Sequence, residues 1–308
     1  MLKIFHLGLM VAPPPNDSSC KAFRANCDHY IGLSTGSANV NAAAIAITQK
    51  FRPDIIFMQI QAPNVIHLET VKSMKETGAW IVNWNGDIRH STPQWMIDMA
   101  TYVDRTLFTN YRDAGNVGNG GFLEIGYDPK IYSPVGLKLP CREVAFFGNN
   151  YGANMFPLSR FRIEMHNLLT KQFPGVYGAY GNNWGNGSGN YNHSQAQESS
   201  AYRGCKIAIN VSHFEEEGYS SDRILRILGS GTFCLCKAYS GMPYIDGVHV
   251  RVWNTLHELL GLIRHYMNDA NKDERDRIAR QGEEFVRGKF TFDNMVKNLI
   301  GIYEQQNN

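Results

Sequence analysis

Two hydrophobic patterns alternate along most of the chain. Short continuous hydrophobic runs, typical of buried strands, are separated by segments in which hydrophobic residues recur every three or four positions, as on one face of a helix. In the first half this predicts strands at residues 3–8, 54–60, 79–84 and 105–110, helices at 39–51, 65–78 and 93–103, and a closing segment at 120–129. Such alternation with short connections predicts a parallel sheet with helices on both faces.

The second half repeats the alternation. It predicts strands at residues 143–149, 176–181, 206–212 and 232–236, helices at 159–173, 255–269, 272–288 and 291–305, and another helix that begins within 219–223. Residues 181–200 are rich in Gly, Asn and Ser and predict a long polar loop, mobile or acting as a lid. The segment LKLPC at 137–141 resembles an interdomain crossing, so we expect domains at 1–138 and 139–290.

The predicted fold class is α/β, with two Rossmann-like, doubly wound domains facing each other across a cleft. The length of 308 residues suffices for two domains, and 43% hydrophobic residues can fill both cores. In open sheets of this kind, ligands bind at the carboxyl ends of the strands. Residues that carry chemistry are therefore expected in the segments that follow predicted strands.

Charge and cysteine content narrow the classes of function. A net charge of +2 excludes a strong overall electrostatic attraction to nucleic acid, although a local basic groove stays open. The six cysteines lie largely in hydrophobic runs, which favours reduced thiols in a cytoplasmic protein over a disulfide framework. No segment approaches eighteen consecutive apolar residues, so we expect no transmembrane segment.

The segment EEGYSSDRILRILGSGTFCLC, residues 216–236, contains two arginines near a predicted helix start. Ser220 and Ser221 resemble an N-cap, and Arg223 and Arg226 follow within two turns. A helix N-terminus already carries partial positive charge, so two added cations favour a bound anion such as phosphate. The alternative is that both arginines are solvated and pair with acidic neighbours such as Asp222.

Two further segments follow predicted strands in the second half. In AFFGNNYG, residues 145–152, a glycine-rich turn at Gly148 and Asn149 leads to a helix that carries Arg160 and Arg162. Such a turn often approaches phosphate or sugar, which makes Gly148, Asn149 and Arg160 candidates for binding them. No GxGxxG occurs, however, and helix arginines are more often surface charges. Tyr180 ends the next strand and could stack on a base or sugar ring, or simply pack under a loop.

Asp87 is the candidate catalytic residue of the first half. It lies in VNWNGDIRH, residues 82–90, directly after a predicted strand. An aspartate there could orient a sugar hydroxyl or act as a general base. The alternative is an Asx-turn that stabilises its own loop. No HExxH or DxD pattern occurs among the acidic and histidine residues, so we predict no metal site.

The order of motifs in residues 143–305 resembles a known family. A strand ending FFGN, a strand end YGAYG, the strand AINVS, and the segment GYSSDRILRILGSGTFCL are followed by ERDRIARQGEEFVRGKFTFDNMV. This order resembles the C-terminal half of group-one glycosyltransferases with the GT-B fold, in particular the spore-maturation CgeB-like branch. The first half matches only in pattern, through WNGD, TLFTN and GYDPKIYSP.

The resemblance implies a glycosyltransferase that uses a nucleotide-sugar, most simply a UDP-sugar, with no other cofactor and no metal. It implies that the C-terminal domain binds the donor and that the diphosphate lies at the helix start, Tyr219–Arg223. It further implies that the N-terminal domain binds the acceptor and that helix 291–305 packs back on that domain. Many relatives carry a glutamate where this chain has Arg226, so the sugar and the stereochemical outcome are left open.

Several alternatives remain at this stage. The acceptor could be a glycan, a protein, a small molecule or DNA, the last as in phage-type DNA base glycosyltransferases. A non-catalytic nucleotide-sugar-binding relative is a second alternative, which the replacement at Arg226 keeps open. A nucleotide-sugar epimerase of the same architecture would need a set of catalytic carboxylates that the sequence does not reveal.

Overall fold

The computed structural model describes residues 1–10, 16–185 and 194–307. The chain forms two compact units, of which unit 1 comprises Met1–Gly126 with Phe292–Asn308 and unit 2 comprises Tyr127–Thr291. The sequence predicted the division between residues 138 and 139, whereas the structure divides the chain between Gly126 and Tyr127. The backbone N–H of Tyr127 donates to the carbonyl oxygen of Phe290 at 2.9 Å, and this bond ties the start of unit 2 to its end.

Unit 1 is built on a parallel sheet. Its strands are β1 (Lys3–Gly8), β2 (His29–Ser34), β3 (Ile55–Met58), β4 (Trp80–Asn85), β5 (Arg105–Phe108) and β6 (Gly120–Phe122). They are arranged in the order β2-β1-β3-β4-β5-β6, and every pair is parallel. The order reverses between β1 and β3, which is the topological switch point of this sheet.

Unit 2 contains a second parallel sheet. Its strands are β7 (Val144–Phe147), β8 (Tyr177–Tyr180), β9 (Ile207–Asn210), β10 (Phe233–Lys237) and β11 (Arg251–Trp253). Their order is β11-β10-β9-β7-β8, so the switch point lies between β7 and β9. The prediction of two doubly wound α/β sheets is confirmed.

Helices cover both faces of each sheet. They are α1 (Ser18–Ala25), α2 (Val40–Phe51), α3 (Leu68–Lys75), α4 (Gln94–Ala100), α5 (Tyr111–Gly115), α6 (Ser159–Gln172), α7 (Gln195–Gly204), α8 (Arg223–Gly229), α9 (Leu256–Met267), α10 (Lys272–Lys289) and α11 (Phe292–Asn307). In the described part of the chain, none of these helices has the length and hydrophobicity that crossing a membrane requires.

Both cores follow from the strand patterns. In unit 1, Ile4 and Val82 face one side of the sheet, where they pack with Phe23 of α1 and Leu299 of α11. The C-terminal helix α11 is therefore part of the core of unit 1. In unit 2, buried residues of the strands pack with α6, α9 and α10 around the fully buried Trp253. Strands that are hydrophobic on both faces are expected in a sheet covered by helices on both sides.

The predicted loop at residues 181–200 is wrong over its last part. Helix α7 begins there, and Ser194 caps it by accepting a hydrogen bond from the backbone of Gln197, whose side chain accepts one in return. This capping box was readable in the sequence as Ser-x-x-Gln. Residues 186–193 of the predicted loop lie outside the described residues.

The helix begins within the predicted range 219–223, but the predicted N-cap at Ser220 and Ser221 is wrong. Helix α8 begins at Arg223, and its N-cap position is Asp222, whose side chain makes no capping hydrogen bond. The two serines have other contacts, because the hydroxyl of Ser220 donates to the carbonyl oxygen of Ser221 at 3.4 Å and the N–H of Ser221 donates to Ser212 Oγ at 3.1 Å. The serines therefore belong to the loop after β9.

Candidate functional site

Gly148 follows β7 at the switch point of unit 2, and its surroundings require a glycine. Its φ of 146° lies in the region that L side chains rarely adopt. Its N–H donates to the carbonyl oxygen of Tyr180 at 2.8 Å, and its own carbonyl accepts from Trp184 Nε1 at 2.5 Å. A Cβ atom here would lie 2.8 Å from Arg223 Nη2 and 2.9 Å from Arg162 Nη2. Two guanidinium groups thus converge on this glycine.

Arg162 reaches the site from helix α6 and is only 1% exposed. Its Nη2 donates to the carbonyl oxygen of Asn149 at 3.2 Å, its Nη1 contacts the ring nitrogens of His213, and its Nε has no hydrogen-bond partner among the described residues. Burial, and secondarily the charge of Arg223, lower the pKa of Arg162 to about 8. A buried cation in this state would gain from a bound anion.

Arg223 is the first residue of α8 and comes to the same place from the other side of the switch point. Its Nη1 donates to the carbonyl oxygen of Val211 at 3.0 Å, directly after β9. The Phe146 ring supports both guanidiniums, whose Cζ atoms lie 4.9 Å (Arg162) and 5.4 Å (Arg223) from the ring centre. Within the part of the chain that the structure describes, neither arginine forms an ion pair with a carboxylate.

His213 completes this cluster and keeps it from gaining a third charge. Its ring lies 4.5 Å from the Phe156 ring and 5.3 Å from the Tyr151 ring, measured between centres. Burial, followed by the charges of Arg162 and Arg223, lowers the pKa of His213 to about 3. The imidazole is therefore neutral near pH 7 and can accept a hydrogen bond from Arg162. We call Gly148, Arg162, His213 and Arg223 the switch-point cluster of unit 2.

Arg160 is the residue of helix α6 predicted from the sequence to bind the ligand, whereas the structure brings Arg162 to the cluster. Arg160 is exposed, and its Nη2 donates to Asn154 Oδ1 at 3.4 Å. The spacing of residues in the sequence could have indicated that Arg162 is buried. The buried residues of α6 recur every three or four positions, at Ser159, Arg162, Met165 and Leu169. An arginine in the hydrophobic stripe of a helix is unusual enough to indicate a specific role. His213 was missed because no comparable spacing marks it in the sequence.

Asn149 and Tyr180 differ in where their side chains lie. Asn149 is at the cluster, and its Oδ1 accepts from the N–H of Asn182 at 2.8 Å. Tyr180 is buried, its ring stacks on Phe147, and its hydroxyl accepts from the N–H of Arg142 at 2.6 Å. Because Arg142 precedes β7, the Tyr180 hydroxyl lies at the amino end of that strand, opposite to Gly148.

Tyr219, Ser220 and Ser221 form the loop that leads into α8. The Ser221 hydroxyl donates to Asn210 Oδ1 at 3.5 Å, which ties the loop to the end of β9. Tyr219 lines a cavity of about 10 Å³ beside Asn210, a volume that suits about one water molecule. The loop therefore borders the switch-point cluster, whereas the predicted helix turn at these residues is absent.

Arg226 points away from Arg223 into a network of carboxylates and aromatic rings. Its Nη1 lies 3.2 Å from Glu198 Oε2, its Nη2 pairs with Asp222, and its Cζ lies 5.5 Å above the Tyr132 ring. The Tyr132 hydroxyl donates to Glu198 at 2.6 Å. Although burial alone would lower it, the carboxylates of Asp222 and Glu198 raise the pKa of Arg226. The alternative interpretation of the sequence paired these arginines with acidic neighbours such as Asp222, and the structure contains the pair of Arg226 with Asp222.

Asp87 lies in unit 1, on the loop after β4. It is exposed, and its carbonyl oxygen accepts a hydrogen bond from Arg89 Nη1 at 3.1 Å. The carboxylate is thus accessible at the carboxyl edge of its sheet. Among the described residues, no group of three or more His, Cys, Asp or Glu side chains is arranged to hold a metal ion.

Comparison with known proteins identifies the architecture. Residues 163–301, fewer than half of the chain, match a family model described as glycosyl transferase-like. The chain superimposes on HepE from Anabaena, solved in complex with UDP and glucose, with a TM-score of 0.65 and 12% identity over 99% of this chain and 100% of that one. The chain has the GT-B fold.

Two further solved structures agree with this fold. A glycosyltransferase from Rickettsia africae ESF-5 matches with a TM-score of 0.66 and 10% identity over 99% of this chain and 98% of that one. A UDP-forming α,α-trehalose-phosphate synthase from Burkholderia xenovorans matches with a TM-score of 0.62 and 9% identity over 99% of both chains. A comparison with curated protein sequences gave no match.

Proposed function

We propose that this GT-B protein is a glycosyltransferase that moves a sugar from a nucleotide-diphosphate donor, most simply a UDP-sugar, to an acceptor. The observation that carries the proposal is the pair Arg162 and Arg223, which both approach Gly148 at the switch point without a carboxylate partner among the described residues. Similar folds solved with UDP and with UDP-glucose support this choice of donor. The motif order of residues 143–305 further leads us to propose membership of the CgeB-like branch.

In this proposal the donor diphosphate lies against Gly148, Asn149 and the loop at Tyr219, Ser220 and Ser221. Sugar transfer develops negative charge on the leaving diphosphate, and preformed cationic donors stabilise such charge without reorganising during the reaction. Arg162 takes the place first given to Arg160, since Arg160 is exposed and Arg162 is buried at the cluster. Tyr180 and Arg226 are then residues that hold the fold around the donor.

Unit 1 is proposed to bind the acceptor, with Asp87 as the general base if the reaction inverts the anomeric configuration. A retaining reaction would not need that base. Because the two arginines supply positive charge to the diphosphate, we expect transfer to proceed without a metal, which activity in the presence of a chelator would test.

The test is a thermal-shift screen of nucleotides and nucleotide-sugars with wild type and Arg223→Ala. UDP or a UDP-sugar is expected to stabilise the wild type, and to stabilise the variant less. If no nucleotide stabilises the wild type, the donor site is refuted; if Arg223→Ala responds equally, its phosphate contact is refuted. Slow release of sugar from the stabilising donor separates an enzyme from a non-catalytic relative, which would bind and release none.

A further inference from the structure

A cavity of about 360 Å³ opens in unit 1, between the segment that follows β3 and helix α4. Residues 62–67 connect β3 to α3, and α4 follows β4, so both walls belong to connections at the carboxyl edge of a parallel sheet. Ligands of doubly wound sheets bind at this edge. The volume falls within the range of small-molecule sites.

The wall at residues 62–69 is held in place by Asn41 of α2. Asn41 Oδ1 accepts from the N–H of His67 at 2.9 Å and from Thr70 Oγ1 at 2.8 Å, and Asn41 Nδ2 donates to the carbonyl oxygen of Val65 at 3.2 Å. Three hydrogen bonds of one partly buried amide, two accepted and one donated, fix both sides of this turn. The cavity is therefore preformed, which lowers the entropic cost of binding.

The lining combines a hydrophobic floor with hydrogen-bond acceptors, and none of the described residues that line it is a lysine or an arginine. Ile66, Trp95 and Met99 supply hydrophobic surface, and the carboxylates of Glu69 and Asp98 lie at the rim. An indole ring beside carboxylate acceptors suits a sugar, because a pyranose offers a C–H face and several hydroxyl donors. A phosphate would instead be repelled by the carboxylate of Asp98, whereas that of Glu69 is paired with Lys72 Nζ at 2.6 Å.

Arg89 connects this cavity to the loop that carries Asp87. Its Nη1 donates to the Asp87 carbonyl oxygen at 3.1 Å, its Nη2 donates to the carbonyl oxygen of Gln61, and its Cζ lies 5.9 Å from the centre of the Trp95 ring. Arg89 therefore braces the two loops through backbone carbonyl oxygens, and its guanidinium lies beside the Trp95 indole without being among the residues that line the cavity. The candidate base and the cavity are thus parts of one braced edge.

We propose that this cavity binds a neutral pyranose unit of the acceptor, on the Trp95 indole and within reach of the Glu69 and Asp98 carboxylates. The inference rests on the proposed function and narrows the acceptor to a glycan or glycoside, against DNA and other phosphate-bearing acceptors. Asn64 and His67, both exposed on the same wall, supply further polar contacts.

Saturation-transfer NMR with methyl pyranosides tests the proposal on the full chain, with UDP present so that sugars do not occupy the donor site. Methyl glucoside, galactoside and mannoside are the neutral probes, and methyl glucuronide and a short single-stranded DNA are the anionic probes. We expect Trp95→Ala to weaken binding of a neutral probe roughly tenfold. Trp95→Phe should retain most of the binding, and Asp98→Asn should weaken it while leaving the melting temperature unchanged.

Tyr111→Ala is the matched control, because Tyr111 is a 49% exposed aromatic residue of unit 1 that does not line the cavity. Its binding of the neutral probes should equal that of wild type. The proposal is overturned if no neutral probe binds, if Trp95→Ala binds them as well as wild type, or if an anionic probe binds more tightly and loses binding in Trp95→Ala. The thermal shift caused by UDP is measured in the same samples. If UDP still stabilises the protein while the sugar probes do not bind, the acceptor cavity is refuted and the proposed donor site is not.

Discussion

Arg162 and Arg223 place their guanidinium groups against the same aromatic ring, that of Phe146, although both carry positive charge. The ring compensates part of the repulsion between the two cations through its negative face. It does not provide hydrogen-bond acceptors, and the Nε of Arg162 is left without one among the described residues. This arrangement supports the proposed diphosphate site, because an anion with several oxygens would supply the acceptors that the ring does not.

Replacing Arg162 should weaken UDP binding far more than replacing Arg160. Both arginines lie on α6, but only Arg162 reaches the switch-point cluster, whereas Arg160 is exposed. A charge-assisted hydrogen bond contributes about 1.5–3 kcal/mol, so Arg162→Ala should raise the Kd for UDP roughly 10- to 100-fold. Isothermal titration calorimetry measures this directly. Stronger loss in Arg160→Ala than in Arg162→Ala would restore the prediction made from the sequence.

Adding a methyl group at Gly148 should also disrupt the anion site. The new Cβ would lie under 3 Å from both guanidiniums and would strain a φ of 146°. Gly148→Ala should therefore weaken UDP binding at least about tenfold, as expected when two charged contacts are displaced.

Gly152→Ala is the matched control for that change. Gly152 has a φ of 84°, but a Cβ there would meet nothing within 4 Å. Backbone strain in this variant should lower the free energy of unfolding by about 1 kcal/mol, and its affinity for UDP should equal that of wild type. Equal loss of affinity in both variants would show that backbone strain, and not the arginines, accounts for the effect of Gly148→Ala.

The strands could be predicted from the sequence wherever hydrophobic runs were continuous. Residues 3–8, 79–84 and 143–149 were located to within a few positions because both faces of these strands are buried. Strand β2 was missed since its residues, HYIGLS, are only partly buried and carry no clear period. Helix α7 was missed because the residues before it are rich in Gly, Asn and Ser, and they dominate the composition of the segment 181–200.

The location of the candidate site could be predicted better than the side chains that form it. The carboxyl edge of β7 and β9, Gly148 and Arg223 followed from parallel-sheet topology and the glycine turn. Which face of a short helix an arginine occupies depends on tertiary contacts. Arg226 lies three residues after Arg223 but pairs with Glu198. That partner is 28 positions away in the sequence, so no local pattern reveals the pair.

Removing Arg226 should lower stability with little effect on the donor site. Arg226→Ala would leave the carboxylates of Glu198 and Asp222 without their shared cation in a half-buried environment. We expect a loss of about 1–3 kcal/mol in the free energy of unfolding, measured by urea denaturation, and a Kd for UDP within about threefold of wild type. Adding Glu198→Gln to Arg226→Ala should recover part of the stability, because it removes an unpaired charge. A large loss of UDP affinity at unchanged stability would return Arg226 to the donor site.

Acid should destabilise the protein partly through His213. Its pKa is about 3 in the folded chain and near 6.5 when unfolded, so between these values the unfolded chain binds one more proton. The free energy of unfolding therefore falls as pH decreases through this window and is fully retained above it. From pH 7 to pH 5, wild type should lose up to about 1 kcal/mol more than His213→Gln in urea denaturation, because solvent screening at the partly exposed ring reduces the full linkage effect.

The same histidine gives a reporter for the location of the bound anion. A diphosphate beside Arg162 and Arg223 would offset the charges that depress the pKa of His213, so that this pKa should rise on binding. At pH 5, His213 should then take up a proton when UDP binds, in addition to any proton that the UDP terminal phosphate releases beside the arginines. Calorimetry detects the net change as a dependence of the binding enthalpy on the ionisation enthalpy of the buffer. His213→Gln should reduce this uptake. UDP binding with equal proton uptake in both proteins would mean that the diphosphate lies away from the switch-point cluster.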